Sequence, residues 1–193
     1  MTHISLNRKK RKNVYFFLLI FIAGLGFFIK LGLTEKTVAF VFFILFALVL
    51  SVIDFKYMCL PDGLTLGLLW MGLFFNLNES FVSIQDGVIG AMMGYGILWL
   101  TYYGFKLLTG KDGLGFGDFK FMAALGAWFG WRALPEILIL SSLFGLIFWL
   151  IFKLIFKPIW KGVQVQCFAT LEKAFPFGPA IALAGLVQLF LVF

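Results

Sequence analysis

Long apolar runs separated by short polar stretches make up most of the chain, and runs of this length read as helical membrane spans. They fall at about 14–33, 37–53, 64–77, 82–105, 118–131, 134–156 and 176–193. The predicted fold is an all-α polytopic membrane protein with about seven transmembrane helices. Two runs, 64–77 and 118–131, are shorter than the roughly 20 residues a perpendicular span needs. Short, glycine-rich helices at membrane depth are expected to pack against protein or line a cavity. The longest polar stretches are the N-terminal tail, Thr109–Gly117 and Lys157–Ala174, and neither a soluble domain nor an internal repeat stands out.

Breaks and small residues refine this pattern. Pro61 lacks an amide hydrogen and pushes its predecessor out of helix, so the second span must end before it. Asp62 then fits an N-cap for the third span. Asp54 lies upstream of the break, at the C-terminal end of a span, where the helix dipole disfavours negative charge. In Gly113-Leu114-Gly115-Phe116-Gly117, closely spaced glycines give a mobile backbone open to close approach by another chain. Asp118 follows at the start of a helix, where a plain N-cap is one reading. Gly90 with Gly94, followed by Gly96, and Gly126 with Gly130 have the spacing of close helix contacts and are read as packing. Trp70, Trp99, Trp128, Trp131, Trp149 and Trp160 fall mostly near predicted ends, as interface anchors would.

Composition agrees with a lipid-embedded chain: 62% of residues are hydrophobic and mean hydropathy is +1.03, where soluble domains run at about 45–50% apolar. The first run lacks a small-residue cleavage site and is followed by further spans, so it is read as a span and not a signal peptide. The net charge of +7 sorts by side. With the N-terminus cytoplasmic and seven spans alternating, only Lys30, Lys36 and Arg132 of the sixteen Lys and Arg residues fall outside. This is the positive-inside pattern. Arg8-Lys9-Lys10-Arg11-Lys12 abuts an apolar run and is therefore a topology signal, with the lipid bilayer and no nucleic acid as its partner. Residues 1–13 are read as a basic cytoplasmic tail and 14–193 as a transmembrane domain. The same count brings Asp54 and Asp118 to the cytoplasmic face. Lys56, Lys111 and Lys120 fall nearby and are assigned to topology and headgroup contact.

The chemical inventory is short. Cys59 and Cys167 are far apart with no C-x-x-C spacing, and the only histidine is His3. A four-cysteine zinc site, a disulfide framework and a Ser-His-Asp triad are excluded, and no metal or cofactor is expected. A P-loop fails because Phe119-Lys120-Phe121 stands where Lys and Ser/Thr are required. Carboxylates remain. At a helix centre in the membrane one costs roughly 2.5–3.5 kcal/mol on insertion scales, less near the interface, so such residues are kept for pairing or function. Two close carboxylates cannot both ionise easily; one stays protonated while the other acts as base, which is aspartic-protease logic. A small proton-coupled transporter is an alternative, although transporters place such groups near the midplane. An inactive remnant or assembly component retaining the fold is another.

Residues 54–66, the segment Gly115-Phe116-Gly117-Asp118, and Pro176-Phe177-Gly178-Pro179 together resemble the type IV prepilin peptidases, a family of GxGD membrane aspartic proteases. The resemblance runs from about residue 40 to 193. It implies that Asp54 and Asp118 are the catalytic pair and that Gly115, Gly117, Lys120, Pro61, Asp62, Gly178 and Pro179 serve as substrate-binding or loop residues. The implied substrates are type IV prepilins or type II secretion pseudopilins, cut at the cytoplasmic face of the bacterial inner membrane. Typical members carry an additional first span and a cytoplasmic domain with paired C-x-x-C motifs linked to zinc and N-methylation. Nothing in this sequence matches that domain, so a short form without methyltransferase activity is expected.

Overall fold

A computed structural model describes residues 34–110, 115–151, 153–154 and 176–192. The chain forms two compact units, residues 1–41 and 42–193. The described residues are helical, with no strand among them: α1 (Glu35–Tyr57), α2 (Asp62–Asn76), α3 (Ile84–Thr109), α4 (Phe116–Phe129), a 3-10 turn (Trp131–Ala133), α5 (Leu134–Ile151) and α6 (Gly178–Val192). The span expected at 14–33, the basic tail, Lys111, Trp160 and Cys167 lie outside the described residues.

Local chemistry sets the boundaries. In the first unit Thr34 precedes α1, its hydroxyl accepting from the Thr37 amide at 3.3 Å and meeting the Thr37 hydroxyl at 2.8 Å. Within the second unit α1 runs one turn past Asp54, because nothing before Pro61 stops it. Met58 closes the helix in a left-handed conformation (φ 53°), its amide bonded to the Asp54 carbonyl at 2.8 Å. Ser83 caps α3 by accepting from the Asp86 amide. Gly110 and Gly130 end α3 and α4 at φ 68° and 75°, a region that glycine enters without a Cβ penalty. Gly130 is thus first a C-cap, while Gly90, Gly94 and Gly126 have the packing role expected of the set.

The core of the second unit is built around α4. Eleven of its fourteen residues are buried. At 1.5 Å per residue such a helix is about 21 Å long, short of a roughly 30 Å hydrocarbon layer. Enclosure by protein is what makes that length tolerable, as the sequence predicts. α3 lies against α4 with almost no side chains between them: a methyl at Gly90 would overlap the Gly126 carbonyl, and one at Gly94 would come within 2.7 Å of the Met122 carbonyl. Gly96, by contrast, faces open space. On another side Gly185 of α6 fits between Leu125 and Phe43. Trp128 is wholly buried, its indole N–H donating to the Leu68 carbonyl at 2.8 Å over Gly72. It is a core residue and not an interface anchor, whereas Trp70, Trp99, Trp131 and Trp149 are exposed.

These contacts fix helix directions. Phe43 meets Trp128 and Phe129 while Asp54 meets the start of α6, so α1 runs opposite to α4. Asp62 and Asn76, the ends of α2, contact Lys120 and Ala127 in turn, so α2 runs with α4. Gly87, Gly90 and Gly94 meet Ala127, Gly126 and Met122 in reverse order, so α3 opposes it. Gly178 near Asp54 and Gly185 near Leu125 make α6 parallel to α4. From α1 to α4 successive helices therefore reverse direction, as consecutive membrane crossings do. Glu35–Tyr57, Ile84–Thr109 and Trp131–Ile151 are long and apolar enough to cross a bilayer, which marks a multi-pass membrane protein.

Candidate active site

Three helix ends converge at one pole of the second unit. Asp54 comes from the last turn of α1, Asp118 from the first turn of α4, and Gly178 from the start of α6. Both carboxylates are buried, with 5% and 8% of their surface exposed. They are close enough for a charge on Asp54 to act on Asp118.

Each carboxylate is held by main chain. The Gly178 amide, one of the donors left free at a helix start, donates to Asp54 Oδ2 at 2.8 Å. It offsets part of the cost of placing a carboxylate at the C-terminal end of α1. A glycine is needed because a Cβ would sit 2.7 Å from that same oxygen. Pro179 follows in the first turn of α6, where a missing N–H costs nothing. Asp118 is the third residue of α4 and not its N-cap; Gly115 holds the cap position with extended geometry (φ −80°, ψ 140°). The Asp118 carboxylate reaches back to the Gly115 amide, as an acidic residue does in the second half of a capping box.

The other expected site residues surround this pair in different roles. Pro61, with φ −65° and ψ 131°, is the N-cap of α2, so Asp62 lies inside the helix and makes no capping bond. Proline's fixed φ and missing N–H place it at the helix boundary, freeing the Asp62 side chain to pair with Lys120 Nζ. Lys120 accordingly faces a partner in the protein instead of headgroups, and Lys56 lies over the Tyr57 ring. Gly117 is not a mobile loop residue. It is in the first turn of α4, pressed on Leu60, whose Cβ would be 2.8 Å from an added methyl. Among the described residues no cluster of three His, Cys, Asp or Glu could hold a metal.

Sequence reading missed several supports. Leu60, 5% exposed, packs the turn after Asp54 onto Gly117. Tyr95, Tyr102, Phe116 and Phe119 form an aromatic cluster with ring centroids 5.4–5.9 Å apart, fixing the first turn of α4 against α3. The seven-residue spacing of the two tyrosines was the available signal, since it puts them on one helix face. At the opposite pole Asn76, wholly buried, donates to the carbonyls of Ala127 and Trp128 and accepts from the amides of Phe81 and Val82.

Comparison with known proteins bears on this pole. The type IV leader peptidase family matches residues 41–150, a range that holds both aspartates but not α6. A prepilin leader peptidase/N-methyltransferase of Pectobacterium carotovorum subsp. carotovorum is 50% identical over 140 residues, 72% of this chain and 46% of the relative. One of Aeromonas hydrophila is 51% identical over the same length, 72% of this chain and 44% of its own. One of Escherichia coli (strain K12) is 44% identical over 144 residues, covering 75% and 59%. The chain spans about half the length of the curated relatives it matches. No solved structure matches it.

Proposed function

The chain belongs to the type IV leader peptidase family, and from that membership we propose that it is an aspartic endopeptidase removing leaders from type IV prepilins or type II secretion pseudopilins. Cleavage takes place at the cytoplasmic face of the bacterial inner membrane. The observation that carries this reading is that Asp54 and Asp118, two buried carboxylates from separate helices, lie at one pole of the bundle within reach of each other's charge. Relatives named as prepilin leader peptidases support the substrate class.

A water molecule held between the two carboxylates is the nucleophile. The ionised member takes a proton from water as its oxygen bonds to the scissile carbonyl carbon, and the protonated member hydrogen-bonds the developing oxyanion. Collapse of the tetrahedral intermediate breaks the C–N bond, with the dyad returning a proton to the leaving amine. The two residues act as one coupled unit. Main-chain donors at Gly178 and Gly115 hold the carboxyl groups so that little reorganisation accompanies reaction.

The test is cleavage of a prepilin by membranes carrying the wild-type chain, Asp54→Asn or Asp118→Asn, read by gel shift and N-terminal sequencing. Wild type is expected to release the leader and either variant to lose more than about 10³-fold in rate. Absence of cleavage by well-expressed wild type across several pilin and pseudopilin leaders would overturn the reading.

A further inference from the structure

Asp62 and Lys120 sit on the two segments that bring in the carboxylates. Asp62 opens α2 just after the turn that follows Asp54, and Lys120 lies two positions beyond Asp118 in α4. Their ion pair joins these segments directly. Beneath it Leu60 is pressed onto Gly117. Met58, in the same turn, holds a left-handed conformation that a non-glycine residue keeps only when its surroundings impose it.

We propose that Asp62 and Lys120 are positioning residues whose ion pair clasps the turn after Asp54 to the first turns of α4, setting how the two carboxylates face each other. The consequence for catalysis rests on the peptidase reading; the clasp itself does not. Asp62 is 64% exposed, so the pair contributes little to folding. A displacement of about 1 Å at a reacting group, however, lowers rate on the order of 10²-fold. The clasp therefore has a signature that a merely structural pair lacks: a large change in kcat with little change in stability or KM.

The full-length chain in proteoliposomes tests this with Asp62→Asn, Lys120→Gln and the exchange of Asp62→Lys with Lys120→Asp. Each single variant is expected to lower kcat for prepilin cleavage by about tenfold or more, with KM within about twofold and an unchanged thermal midpoint. The exchange should recover most of kcat. A second readout is independent of activity: Leu60→Cys, in a Cys59→Ser and Cys167→Ser background, is labelled by maleimide slowly while the clasp holds. Either single variant should speed labelling about tenfold and the exchange should slow it again. Unchanged kcat and labelling in the single variants, or equal losses in the single variants and the exchange, would overturn the clasp. Labelling that follows the clasp in a wild type that cleaves no leader would overturn the peptidase reading and leave the clasp standing.

Discussion

A methyl group added at Gly178 would lie 2.7 Å from Asp54 Oδ2 and 3.0 Å from its Cγ, with no flexible chain end to yield. Gly178→Ala is thus expected to push the Asp54 carboxylate or its amide donor out of place and to cut leader cleavage on the order of 10²-fold. Gly96→Ala is the matched control. Nothing lies within 4 Å of that position, and alanine is the better helix former by up to about 1 kcal/mol. Full activity in Gly178→Ala, measured with the same prepilin, would mean that the carboxylate does not depend on this approach. Asn76 makes a second case. Asn76→Leu leaves two carbonyls and two amides without their partner, at about 1–3 kcal/mol for each group left buried and unsatisfied. A fall of at least about 2 kcal/mol in unfolding free energy in detergent is expected, and a change below about 0.5 kcal/mol would show that water replaces the amide. Neither role was legible in the sequence. A glycine after Phe177 and an amide closing an apolar run show their type, whereas their partners are 124 and about 50 residues away in sequence.

Among the helices, α4 shows what apolar patterning can and cannot disclose. Its brevity was readable, and with it the expectation of enclosure by protein. The glycine spacing in α3 and α4 was readable too, and Gly90 and Gly126 meet as that spacing implies. Cap identities were not. Proline at position 61 and glycine at 115 took the boundaries, moving Asp62 and Asp118 one and three places into their helices, which frees Asp62 for Lys120 and turns Asp118 back onto the Gly115 amide. Trp128 was misplaced because a tryptophan near a helix end looks alike whether it faces headgroups or Gly72. The α3–α4 contact makes its own prediction. Gly126→Val drives a branched side chain into the Gly90 backbone, so the helices must separate. Loss of folded protein in detergent, by size-exclusion profile, is expected for Gly126→Val and not for Gly96→Val. Intact Gly126→Val would mean that the two helices do not rely on backbone contact.

At the scale of the whole chain, the reversing directions of α1 to α4 put both carboxylates at one pole of the second unit and Asn76 at the other. The positive-inside count leads us to propose that the aspartate pole faces the cytoplasm. Cys59 makes that assignment measurable. It lies in the turn between Asp54 and Asp62, is exposed, and so shares the side of the site. In a Cys167→Ser background a membrane-impermeant maleimide should leave Cys59 unlabelled in intact spheroplasts and label it in inverted membrane vesicles. Prepilin leaders are proposed to be cut on that same side, so orientation and activity are linked: external substrate should be processed by inverted vesicles and not by right-side-out ones. Labelling of Cys59 from outside intact spheroplasts would reverse the topology. It would separate the aspartate pole from any cytoplasmic substrate, whatever the state of the dyad.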